Sequence, residues 1–119
     1  MIKVKIVKDS ERNIKGLYMN GHSGYAEEGS DVICAGASVL LYTAANSLEA
    51  VCGYLDTAVI NEDIGDGRVS AQIIVPADDN KERAQTAHTI MRTVEIGLIT
   101  MASSVNDENN VYIKVTEEN

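Results

Sequence analysis

His22 and Cys34 are one of two histidines and one of two cysteines in a chain of 119 residues. They lie twelve positions apart, close enough to meet if the chain between them folds back. An imidazole beside a thiol can do nucleophilic chemistry: it takes the thiol proton, or it holds the thiolate as an ion pair. Gly21, Gly24 and Gly29 frame the intervening segment. Glycine admits loop conformations that other residues resist. Such a segment can close over an extended peptide and reopen, or serve as a plain connector. Asp31 can orient His22 as the third member of a triad, or cap the helix that follows. Ser38, one helical turn beyond Cys34, can line a substrate groove or bond back to its own backbone. Cys34 has a structural alternative too, since free cysteines are often buried in cores.

The elements that must position these groups are readable from periodicity. Ile33, Ala37, Leu40, Leu41, Ala44, Leu48, Val51 and Leu55 recur at threes and fours. This predicts an amphipathic helix over 31–52, capped by Ser30 or Asp31 and stopped by Gly53. Cys34 then lies in the first turn, where unpaired N–H groups and the helix dipole favour a thiolate. Cys52 is on the same helix, roughly 27 Å further along at 1.5 Å per residue, too far to form a disulfide with Cys34 or share a metal with it. A second helix is predicted over 80–103, capped by Asp78 or Asp79, with Ala84, Ala87, Met91, Val94, Leu98 and Met101 on its apolar stripe. His88 falls beside that stripe and reads as structural. Strands are predicted at the N-terminus through Ile2, Val4 and Ile6, then over 14–20 with His22 just beyond, 57–60, 68–75 and 111–115. Asp66-Gly67 is the turn signal between the third and fourth. The order β-β-α-β-β-α-β predicts an α+β fold in two layers, two long helices on one face of a mostly antiparallel sheet, as a single domain over 1–119.

Composition narrows the function. A net charge of −8 disfavours direct nucleic-acid binding and suits a basic protein partner. No stretch reads as a signal peptide or approaches a membrane span, so two free thiols point to a reducing cytoplasm. No dinucleotide or phosphate-loop motif calls for a cofactor, and no close-set His/Cys group calls for a metal.

The stretch Gly21-His22-Ser23-Gly24-Tyr25-Ala26, then Gly29, then Asp31-Val32-Ile33-Cys34-Ala35-Gly36-Ala37-Ser38 resembles the signature of the ribosomal-processing cysteine proteases, the Prp family. Ser23 stands where alanine is usual, and Gly36-Ala37 where Ala-Val is usual. The length and element order are similar over the whole chain. The resemblance implies a cysteine endopeptidase that removes the N-terminal extension of a large-subunit ribosomal protein. It implies Cys34 as nucleophile, His22 as general base, Asp31 in support, and a homodimer. Gly21, Gly24, Gly29 and Ser38 are the candidate substrate-binding positions. The alternative is a non-catalytic ribosome-assembly factor that binds a basic ribosomal protein through the same surface.

Overall fold

The computed structural model describes residues 1–22, 30–63 and 68–119, with Ser30 and Asp31 described in backbone only. Five strands and two helices follow in the expected order: β1 (Ile2–Lys8), β2 (Ile14–His22), α1 (Ser30–Cys52), β3 (Ala58–Asp63), β4 (Arg68–Ile74), α2 (Lys81–Val105) and β5 (Ile113–Glu118). The sheet runs β3-β4-β2-β1-β5. Its pairs are antiparallel except β1 with β5, which is parallel.

Alternation puts Ile2, Val4 and Ile6 of β1 and Val69, Ala71 and Ile73 of β4 on the buried face. Both helices pack on that face and on each other. The α2 stripe is as predicted through Ala87, Met91, Val94 and Leu98. The α1 stripe drifts. It runs Cys34, Ala37, Leu41, Ala44, Leu48, Cys52, while Val51 and Leu55 are exposed. Seven residues fall roughly 20° short of two turns of a straight helix, so a stripe at threes and fours slips round it along its length. Over Val32–Cys52, α1 is long and apolar enough to cross a membrane, against the expectation from sequence. One side of it is a core seam, which a soluble core helix needs as much as a spanning one.

Several boundaries differ from expectation. His22 is the last residue of β2 rather than the first beyond it, and β3 runs on to Asp63. The first helix starts at Ser30, so neither Ser30 nor Asp31 precedes it as a cap. The cap of α2 is Asn80, whose side chain accepts from the Arg83 N–H, instead of Asp78 or Asp79. Asp78 accepts from Tyr54 Oη and from the Arg83 guanidinium, tying the end of α1 to the start of α2. Those bonds hold its carboxyl well below the usual range. Gly53 takes φ +74° after α1, as a helix stop requires. The predicted Asp66-Gly67 turn lies outside the described residues.

Candidate active site

Two antiparallel pairings bring the candidate residues to one end of the sheet. His22 closes β2 and pairs in register with Arg68, the first residue of β4. Arg68 in turn pairs with Asp63, the last residue of β3. Cys34 approaches the same place from the helix layer: its Sγ donates to the Arg68 carbonyl oxygen at 3.2 Å. One backbone position therefore joins the strand that carries the histidine to the helix that carries the thiol.

The residue before His22 explains part of this geometry. Gly21 has φ +138°, and a Cβ there would collide with the Met1 carbonyl oxygen. Only glycine lets the end of β2 lie this close to the start of β1. An open cleft of about 510 Å³ lies at this end, lined by His22, Gly21, Glu62, Asp63 and Arg68 among others.

Cys34 is wholly buried, and burial pushes its thiol up from the ordinary value. Glu62 and Asp63 push the same way by disfavouring a second negative charge. Ser38 opposes them. It is almost fully buried one turn along α1, and its hydroxyl next to the sulfur favours the thiolate. No other hydrogen bond holds that hydroxyl among the described residues. The sequence expectation was the reverse, an eased ionisation at a helix start. With α1 beginning at Ser30, Cys34 is the fifth helical residue, and its N–H is used by the helix's own ladder. What the thiol meets first is the dry interior under the sheet. It rests as a neutral hydrogen-bond donor.

Gly24 and Gly29 lie outside the described residues, as does the side chain of Asp31. Cys52 is buried at the other end of α1, and both thiols are free. His88 is half-buried in α2, and its Nδ1 accepts from the Ile14 N–H at 3.0 Å. The residues that sequence reasoning missed are Arg68, Glu62 and Asp63. Arg68 and Asp63 belong to the site by register alone, and nothing in their spacing from Cys34 signals it.

A two-layer α+β domain with a thiol under one sheet end and a histidine on it is the frame of a small thiol hydrolase. The profile of the family described as Cysteine protease Prp matches residues 1–110, and the chain belongs to that family. It is 29% identical over 114 residues to the ribosomal processing cysteine protease Prp of Staphylococcus aureus (strain Mu50 / ATCC 700699), covering 96% of this chain and 100% of that one. The fold is similar to the crystal structure of the essential ribosomal processing protease Prp from S. aureus in complex with a covalently linked product peptide, with a TM-score of 0.69 at 25% identity, covering 99% of this chain and 100% of that one. A second crystal structure of the S. aureus protease, in complex with a substrate peptide, matches with a TM-score of 0.67 at 26% identity over the same shares.

Proposed function

We propose that this cysteine protease removes the N-terminal extension of a large-subunit ribosomal protein, with Cys34 as nucleophile and His22 as general acid and base. The observation that carries the assignment is the shared contact at Arg68, which the thiol bonds and the histidine pairs with. In the first step the Cys34 proton passes to His22, and the thiolate attacks the scissile carbonyl. His22 then protonates the leaving amine, and a water activated by the same imidazole hydrolyses the thioester. Ser38 donates to the sulfur once it is charged. Asp31 supports the pair, and Gly21, Gly24 and Gly29 shape the approach of the peptide. The N–H of Cys34 is not an oxyanion donor in this scheme, since the helix uses it; the first turn of α1, from Ser30 to Val32, is the nearer source.

The expected result with Cys34→Ala is complete loss of cleavage of the extended ribosomal protein, with an unchanged circular dichroism spectrum. Persistent cleavage would leave the assembly-factor reading in its place.

The same reading carries a cytoplasmic location and a homodimer. Val32, Val39 and Tyr42 are exposed on α1 at spacings of seven and three, so they share a face that water covers poorly. Sedimentation should show a dimer for the wild type and a monomer for Val39→Glu. A wild-type monomer at micromolar concentration rejects the dimer.

A further inference from the structure

The face of the sheet away from the helices carries three rows of side chains set by strand register. The first is Asp63 and Arg68, beside His22 at the cleft described above. The second is Asn61, Ser70 and Asn20. The third is Val59, Gln72 and Tyr18. Alternation sends Asp63, Arg68 and the second and third rows to the same face, and successive rows are two residues, or roughly 7 Å, apart.

These rows form one continuous trough. The cleft at His22 and a second concavity of about 530 Å³ share Asn20, Asn61 and Ser70. Among the described residues no helix covers this face, because both pack on the other. The second row is short amides and a hydroxyl, which can donate to and accept from a peptide backbone. The third is floored by Tyr18 and by Val59, which is 63% exposed. The Lys5 ammonium stands 5.1 Å from the Tyr18 ring centroid and steadies it. The second and third rows continue into β1 as Lys3 beside Asn20 and Lys5 beside Tyr18, and both lysines line the second concavity. The chemistry suits an extended chain whose backbone bonds the amide row, with an apolar side chain at its far end.

We propose that the substrate peptide continues from the scissile bond along this open face in extended form, with Tyr18 and Val59 forming a distal subsite for an apolar residue. The proposal rests on the protease reading above, and it fixes a register. A peptide aligned with the strands places alternate residues over successive rows. The residue over His22 is followed two positions on by one held by the amide row, and four positions on by one seated on Tyr18 and Val59. The main chain is read in the middle row, and side-chain preference is expressed at the third. Tyr18 and Val59 are specificity determinants, remote from the reacting atoms.

The test uses three synthetic peptides that span the cleavage site of the extended ribosomal protein. One is full length, and the other two end three residues from the scissile bond, on the N-terminal or the C-terminal side. With the full peptide, Tyr18→Ala and Val59→Ala should each raise KM about fivefold to tenfold and leave kcat within twofold. One of the two truncations should cost the wild type a similar factor, and on that peptide the substitutions should have no further effect. Unchanged KM for both variants, or effects that multiply with both truncations, would overturn the subsite. Fluorescence anisotropy of the labelled full peptide on Cys34→Ala protein reads the trough without chemistry. Weaker binding after adding Tyr18→Ala supports the proposal even if no peptide is cut, an outcome that would count against the protease reading alone. Equal binding rejects the proposal.

Discussion

The two ends of β2 hold the two histidines of the chain, one on the strand and one packed against it, and they are built on opposite terms. At the His22 end, polar groups line an open cleft, and the buried Cys34 thiol donates to a backbone carbonyl. At the Ile14 end, charges are tied to each other. Strand alternation carries Lys8 to the same buried face as Ile2, Val4 and Ile6, where it meets Glu95 at 3.3 Å and Glu117 at 2.6 Å. Arg92 bonds the same Glu95 oxygen at 2.7 Å, and Arg12 reaches Glu117 at 3.0 Å. His88 adds its bond to Ile14. Buried charge survives where partners are fixed, and it does so here at the end away from the cleft. A group that must gain and lose a proton in turnover cannot be locked in that way. The comparison assigns chemistry to one end and cohesion to the other.

The largest effect that would break this division concerns His22. His22→Gln is expected to lower kcat/KM by three orders of magnitude or more, with a shift in melting temperature of only a few degrees. His88→Gln should do the opposite, leaving kcat/KM within twofold and lowering stability. Equal losses of activity from both would mean that His88 supports the chemistry through the sheet and that the two ends are coupled.

Lys8 gives the next effect. Lys8→Met leaves Glu95, which is 0% exposed, with Arg92 as its remaining cation. Removing one partner of a buried pair typically costs about 3–5 kcal/mol, and the retained Arg92 puts the expected loss near the lower bound. Lys8→Met combined with Glu95→Leu should recover most of it, because no buried charge is then left behind. Urea unfolding of the three proteins checks this. A single substitution that costs under about 1 kcal/mol would show the pair to be solvated in solution.

The same contrast explains what could be read from sequence. Strand and helix order, the Gly53 stop and the α2 stripe follow from periodicity, because each depends on near neighbours. Lys8 continues the buried alternation of Ile2, Val4 and Ile6, but its residue type reads as exposed, and the carboxylates that let it stay inside are 87 and 109 positions away. Glu95 lies between Val94 and Ile96, and its burial is set by a lysine 87 positions earlier. At the site, His22 and Cys34 were legible as residue types and through a motif. The depth of Cys34 was not, because it depends on where α1 begins and on β4 closing over the sulfur. Arg68 entered only through the pairing of β2 with β4.

The smallest effect is a pH dependence at the cohesive end. Burial first, and then the charges of Lys8 and Arg92, hold the His88 imidazole below its ordinary value; Asp9 and Glu95 act against them. The neutral ring accepts the Ile14 N–H at Nδ1, so Nε2 carries its hydrogen. Protonation would replace that acceptor with a donor facing a donor. The unfolded chain takes up the proton near the ordinary imidazole value of 6.5, whereas the folded chain resists until lower pH. The stabilisation is therefore fully present above about pH 6.5, declines as pH falls below it, and is lost once pH passes the folded value. The hydrogen bond at stake is worth about 1 kcal/mol. Carboxylates of Asp9, Asp78 and Glu117 also sit below their ordinary values, but they lose their contributions at lower pH, as they become protonated. The measurement is the difference in unfolding free energy between wild type and His88→Gln at pH 7.5 and at pH 5.5. The gap should narrow at the lower pH. A constant gap would mean that His88 does not titrate differently in the two states, and that the lock at this end is carried by Lys8 and its carboxylates alone.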